Sequence, residues 1–357
     1  MEHCMDRLLQ EMEAQHLDAF FITNEVNIQY VSHYTSDGAY LLITPGEKFI
    51  ITDPRYTEQA TIDCPNFTVV EWRRKYPTVA SALASIYEKV HFKTVGYESG
   101  SMTVDDFDEY SKAVPAEWVK FNGVIEEMRS IKTPQEIAYL RASCQIASQA
   151  FERIIKDIRV GITEKELAAK LSYYMVMEGA DTQPYGNILI SGPHSSLLHG
   201  IPSNRAIEYG DIVLMDYGCQ YHGYLSDMTR TVIVGRSTAK QREVYQLVRD
   251  MNEAMEAVMV DGITGDVAYQ AGAKLLEGSE YYQYHYNRVG HGIGRFVHEY
   301  PFTGPGFEDK IREGTVMTAE PGIYIPGWGG IRIEDQLLIL KGGNENLVTA
   351  TKDLIEL

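Results

Sequence analysis

Five side chains in the C-terminal two thirds of the chain have the types and spacing for metal chemistry. Asp216 ends the apolar run Ile212 to Met215, and Asp227 follows eleven residues later, past the turn-like Tyr221-His222-Gly223-Tyr224, at the start of a second strand over Thr231 to Val234. A hairpin of this kind places two carboxylates beside each other across its ladder. Glu320 repeats the pattern after Val316-Met317-Thr318-Ala319, and Glu334 sits in Ile331-Arg332-Ile333-Glu334-Asp335, ahead of the apolar Leu337 to Leu340. Ionised carboxylates gathered in a dry interior repel one another, so they take a cation or share a proton. Taken singly, each has a plain structural reading: Asp is common at strand ends, and Arg332 could pair with a neighbouring carboxylate. With a histidine, two Asp and two Glu form a hard, oxygen-rich set suited to Mn²⁺, Co²⁺, Fe²⁺ or Zn²⁺.

The histidine is His291, in Gly290-His291-Gly292-Ile293-Gly294, where flanking glycines permit close backbone approach and leave the imidazole unshielded. No Lys-Ser/Thr follows, so these glycines are not a phosphate loop. Two further histidines have distinctive settings: His298 in Val297-His298-Glu299-Tyr300-Pro301 and His199 in Leu198-His199-Gly200. The others (His3, His16, His33, His91, His194, His222 and His285) have none.

The elements that must carry these residues are duplicated. Gly161-Ile162-Thr163 recurs as Gly262-Ile263-Thr264, each time opening a helical pattern. Gly210, Asp216 and Gly218 recur at the same internal spacing as Gly314, Glu320 and Gly322, with Asp227 matched by Glu334 and His199 by His298. A duplicated half-domain would bring these pairs together across a pseudo-twofold axis. The domain holding them opens near residue 130, where Thr133-Pro134-Gln135-Glu136 combines an N-cap, a first-turn proline and a capping-box Glu. Ile137, Leu140, Cys144, Ala147, Phe151, Ile154 and Ile158 then mark one face of a long helix. Ahead of it, strands are expected at Phe20–Ile22, Tyr40–Ile43 and Phe49–Ile51, and helices at Asp6–Gln15 and Val79–Glu88, an α/β layer without chemistry of its own.

A chain of 357 residues, 44% of them hydrophobic, suggests two domains with sizeable cores. Fifty acidic against 32 basic residues, a net charge of −18, repel phosphate backbones, and the densest basic cluster is only Arg73-Arg74-Lys75, so nucleic acid is not expected as a partner. No apolar run approaches the ~18–20 residues that span a bilayer. Met1 to Leu17 lacks a signal-peptide apolar segment, and Cys4, Cys64, Cys144 and Cys219 are too scattered for a disulfide framework or a Cys-ligated zinc. A reduced, cytoplasmic protein with no membrane partner is expected.

The motifs His199-Gly200, Met215-Asp216-Tyr217-Gly218, Ser226-Asp227-Met228-Thr229-Arg230-Thr231, Gly290 to Gly294, His298-Glu299, Glu320-Pro321-Gly322-Ile323-Tyr324 and Arg332 to Asp335 together resemble the catalytic domain of the pita-bread metallopeptidases, the group of aminopeptidase P, prolidase and methionine aminopeptidase. Asn27-Ile28-Gln29-Tyr30, Thr52-Asp53-Pro54-Arg55-Tyr56 and Gly96-Tyr97-Glu98 resemble the creatinase/prolidase N-terminal domain. The resemblance implies an α/β protein: a smaller N-terminal α/β domain over 1–128, then a pita-bread catalytic domain over 129–357 with internal pseudo-twofold symmetry. It implies two divalent ions held by Asp216, Asp227, His291, Glu320 and Glu334, with Asp227 and Glu334 shared between them; Mn²⁺ is favoured, Co²⁺ and Zn²⁺ being the alternatives. Glu320 would shuttle the proton, and His199 and His298 would steady the substrate and the developing oxyanion. The implied activity removes a residue next to proline from short peptides, as an Xaa-Pro aminopeptidase or Xaa-Pro dipeptidase, in a homodimer to whose assembly the N-terminal domain contributes.

One position departs from the pattern. Relatives that cleave before proline usually carry a second His four positions ahead of the metal His, where this chain has Asn287; His285 is two residues further back. Asn donates a hydrogen bond but takes no proton, so proline selectivity is the property most exposed to the change. The alternatives are a non-proline aminopeptidase or small-amide hydrolase on the same fold and metals, and a metal-free binding protein, which the five retained ligands disfavour.

Overall fold

The computed structural model describes residues 2–183 and 185–357, the side chains of Glu2 and His3 lying outside what is described. Contacts divide the chain into a unit ending at Arg129 and a second unit, Ser130–Leu357.

The first unit is built on a six-stranded mixed sheet of β1 (Ala19–Ile22), β2 (Ala39–Ile43), β3 (Lys48–Thr52), β4 (Thr68–Glu71), β5 (Thr94–Tyr97) and β6 (Glu117–Lys120), in the order β4-β3-β2-β1-β5-β6. Phe20, Ile22, Leu41 and Ile50 pack against Leu8 and Met12 of helix Glu2–Ala14, while Phe21, Leu42 and Ile51 pack against Leu83 and Ile86 of helix Val79–Val90. Burial on both faces is why the central strands read as unbroken apolar runs. The N-terminal motifs are folding nodes: Glu98 accepts from the amides of Thr23 and Asn24 (both 2.8 Å) and from Asn27 Nδ2 (2.5 Å), and Asp53 binds Arg55.

The second unit opens on helix Pro134–Ile154, whose Thr133–Glu136 capping box is formed in full; the apolar face is buried from Leu140 to Ile154, and Ile158 lies beyond the helix end. Its strands are β7 (Ile188–Ser191), β8 (Ile212–Tyr217), β9 (Gln220–Tyr221), β10 (Tyr224–Leu225), β11 (Met228–Ile233), β12 (Gly290–Gly292), β13 (Glu299–Thr303), β14 (Val316–Ala319), β15 (Gly322–Ile325), β16 (Gly329–Arg332), β17 (Asp335–Leu340) and β18 (Gly343–Asn346). The main sheets run β11-β8-β7 and β13-β12-β14-β17-β18.

The duplication extends to backbone detail. Gly161 and Gly262 have φ of 91° and 92°, and Gly210 and Gly314 have φ of 89° and 85°, a left-handed conformation that favours glycine. Gly161 N donates to Ile207 O and Gly262 N to Ile311 O; Thr163 and Thr264 each cap the following helix. Gly210 N reaches Val234 O as Gly314 N reaches Ile339 O. The halves join through Thr229, which bridges to Glu334, and through buried Arg230, which donates to Glu334 O and Asp335 (both 2.6 Å).

Two local expectations need correction. Asp216 stands opposite Thr229, not beside Asp227, because the small β9–β10 hairpin, turned by His222 and Gly223 at positive φ, is inserted between the long strands. Asp227 precedes β11 by one residue and reaches Asp216 diagonally, on the same face as Thr229. Glu334 lies not within a strand but in the break between β16 and β17. Among the described residues no helix is long and apolar enough to cross a membrane. Burial pushes the Cys64 and Cys219 thiols up to about 11.

Candidate metal centre

Each half supplies carboxylates from matching places: Asp216 near the end of β8 and Glu320 just past β14, Asp227 just ahead of β11 and Glu334 just ahead of β17. Asp227, His291 and Glu334 offer three buried ligand atoms within 4.8 Å of one another. His291 stands on β12 with Nδ1 3.0 Å from Gly292 O, so Nδ1 donates to the backbone and Nε2 faces the carboxylates, 3.2 Å from Glu320 and 3.6 Å from Asp227. A backbone acceptor on one ring nitrogen is the usual way a ligating imidazole is oriented.

Supporting side chains hold the acids in place. Tyr185 donates to Asp227 Oδ1 (2.7 Å), Thr229 to Glu334 Oε2 (2.6 Å) and Thr318 to Glu320 Oε1 (3.1 Å). Arg332, 2% exposed, donates to Asp216, to Thr229 Oγ1 (2.9 Å) and to Tyr324 OH (2.7 Å). The structural reading of Arg332 therefore holds for Asp216, and among the described residues the other acids have no ion pair with a lysine or arginine.

The electrostatics follow. Burial and the neighbouring Asp216 push Asp227 up to about 8. Glu334 is raised well above the carboxylate range by burial and by Asp227, Glu320 and Asp216. Asp216 is raised by burial, with Arg332 opposing. For Glu320, burial is outweighed by the hydrogen bond and charge of His291, so its carboxyl stays below its ordinary value. His291 runs opposite to a buried base: Glu320 and Asp227 overcome desolvation and lift it to about 9. Glu334 Oε1 is buried without a hydrogen-bond partner among the described residues. A lone pair stranded among mutually repelling acids fits a divalent cation, as does the all-oxygen-and-imidazole donor set.

His298 is exposed, its ring perpendicular to that of His291 with centroids 4.5 Å apart, and burial and the His291 charge hold it below its ordinary value. His199 is exposed and close enough for its charge to act on Asp216 and His298. Asn287 is exposed with Oδ1 3.4 Å from Tyr269 OH. His285 is engaged elsewhere, its Nδ1 donating to Tyr282 O (2.5 Å) and its Nε2 accepting from Tyr269 OH (3.1 Å). Sequence reasoning did not reach Tyr185, Thr229 or Thr318, whose hydroxyls acquire meaning only through partners distant in the chain.

Two half-domains that meet at such a donor set define the pita-bread class. The sequence model of metallopeptidase family M24 matches residues 138–341, and that of the creatinase/prolidase N-terminal domain matches residues 5–131. The chain is 35% identical over 357 residues to an Xaa-Pro dipeptidase of Pyrococcus horikoshii, covering 99% of each. It superposes on the Xaa-Pro dipeptidase from Bacillus anthracis with a TM-score of 0.95 at 33% identity, covering 100% of this chain and 99% of that one. It is similarly close to an X-Pro aminopeptidase from Thermotoga maritima, with a TM-score of 0.93, 30% identity and 99% of each chain covered. This chain belongs to metallopeptidase family M24, a family whose members work with divalent metal ions.

Proposed function

We propose that the chain is a metal-dependent Xaa-Pro peptidase acting on short peptides, with two divalent ions, Mn²⁺ by preference, held by Asp216, Asp227, His291, Glu320 and Glu334. The observation that carries this is the unpaired, buried Glu334 Oε1 within the Asp227–His291–Glu334 cluster. Xaa-Pro relatives matched over 99% of the chain support the substrate class.

Ions held by these five residues would lower the pKa of a water and polarise the scissile carbonyl. The chain's own groups do the rest. Glu320, its Oε1 held by Thr318 and its carboxylate facing His291, is the group assigned to take a proton, and Arg332 holds Asp216 in place. His298, its pKa held below the ordinary value by burial, and His199 are the donors that grip the substrate carbonyl and the charge developing on it. Among the described residues no disulfide is formed, in keeping with a cytoplasmic protein, and the N-terminal unit, which carries none of the ligands, is assigned to homodimer assembly.

Asn287 favours a relaxed proline preference within this reading. The deciding experiment is hydrolysis of Xaa-Pro, Xaa-Pro-Xaa, Xaa-Ala and Met-Ala-Xaa peptides with Mn²⁺. Cleavage confined to the first two supports an Xaa-Pro peptidase and tells dipeptidase from aminopeptidase; equal or better cleavage of the alanine peptides refutes it.

A further inference from the structure

We propose that Glu164 is the positioning residue for His199, holding both ends of the loop on which that imidazole stands. Glu164 opens the helix Glu164–Met177 and is fully buried. A buried carboxylate is costly unless its lone pairs are used. Here all the donors come from the two ends of one loop. Oε1 accepts from Ser191 N and Ser191 Oγ (both 2.8 Å), and Oε2 accepts from Ser203 N (2.9 Å) and Ser203 Oγ (2.7 Å). Between the serines runs loop 192–202, which carries His199. His194, on the same loop, places Nδ1 3.4 Å from Oε1.

The loop is fixed along its length as well. Ser195 Oγ donates to Gly192 O (2.6 Å) and accepts from Gly330 N (2.8 Å), tying the loop to β16, the strand that ends in Arg332. A Cβ at Gly200, next to His199, would lie 2.9 Å from Ile190. Among the described residues no hydrogen bond is made by the exposed His199 ring, so its place is set by the loop that carries it. The other histidine is treated alike. Glu299, buried beside His298, accepts from Arg295 N (3.1 Å) and Phe296 N (3.0 Å) and so braces the turn leading into His298. At the position that repeats Glu164, the second half has Gly265, where even a Cβ would lie 2.0 Å from Phe302 O. The two halves brace their histidines with carboxylates from different places.

The inference rests on reading His199 as a substrate-gripping residue, so the test measures both variants and their combination on an Xaa-Pro dipeptide, with metal content checked by elemental analysis. His199→Ala is expected to lower kcat at full metal content. Glu164→Gln keeps the shape but cannot accept four N–H and O–H donors; kcat should fall about tenfold with KM within about twofold, and in the His199→Ala background it should cost less than about twofold. If the Gln variant does not fold, Ser203→Ala, which leaves the carboxylate its other donors, should give the same non-additive pattern at about threefold. Equal losses in both backgrounds, or full activity in either Glu164→Gln or the folded Ser203→Ala, overturn the role of Glu164 alone. Full kcat in His199→Ala overturns the reading of His199 and the inference with it.

Discussion

Titrating metal into the metal-free protein over a range of pH interrogates the centre through His291. Its imidazole is lifted from 6.5 to about 9 by Glu320 and Asp227, against the opposing effect of burial. The raised value means that the imidazolium stabilises the metal-free fold fully below about 6.5, a contribution lost as pH rises through about 9. A ligand nitrogen must be neutral. At pH 7 a pKa of about 9 puts the proton two units out of reach, so removing it costs ~2.7 kcal/mol, about 100-fold in apparent affinity. Affinity should therefore climb at least about tenfold per pH unit between 7 and 9, with Asp227, at about 8, and Glu334, raised well above the carboxylate range, adding further protons. Calorimetry in buffers of different ionisation enthalpy counts the protons released on binding; at pH 7 it should find at least one. An affinity flat between pH 6 and 9, or no proton release at pH 7, refutes the assignment of His291 and its acidic neighbours to one metal centre.

Three further variants have expected outcomes. Glu334→Gln mimics the protonated acid that burial already favours, so metal-free stability in denaturant should stay within about 1 kcal/mol of wild type. The same variant should lose the metal-induced stabilisation, ~2.7 kcal/mol at a hundredfold excess over Kd in the parent, and retention of two ions would show the ligand assignment wrong. Asn287→His should raise the Xaa-Pro to Xaa-Ala ratio of kcat/KM about tenfold at unchanged metal content; a flat or falling ratio removes this position from specificity. Thr133→Ala dismantles the capping box of helix Pro134–Ile154 and should cost about 1 kcal/mol in chemical denaturation with activity per folded molecule intact.

Much of this architecture was legible locally. The Thr133-Pro134-Gln135-Glu136 signature formed as a capping box, and the Gly-Ile-Thr repeat marked two helices entered through the same left-handed glycine, because such punctuation is imposed by a few neighbouring atoms. Strand existence was legible and strand ends were not: β3 runs from Lys48 to Thr52, a residue beyond the apolar core at either side, since edges are set by partner strands. The Asp216 register was misread because a two-residue turn at His222-Gly223 closes a private hairpin, and only the three-dimensional ladder reveals that Thr229 faces Asp216. Glu164, one residue past the Gly161-Ile162-Thr163 repeat, drew no attention in the sequence. Its one visible signal was the break in the repeat, where Gly265 stands in the other half.

The join between the halves bears on how the centre comes into being. Thr229 to Glu334, Arg230 to Asp335 and Thr231 to Arg332 O are contacts between segments more than a hundred residues apart; Asp227 and Glu334 flank the strands so joined, while Asp216 and Glu320 lie on or just past β8 and β14, the strands paired with them. Neither half alone holds the whole set, since Asp216 and Asp227 come from one and His291, Glu320 and Glu334 from the other, and no early, local stage of folding contains it. Such distant closure must be completed before its contacts return any stabilisation, which makes it a slow event. Metal capture therefore reports the final docking of two similar halves, and a lesion that loosens this seam far from the centre should surface first as metal loss.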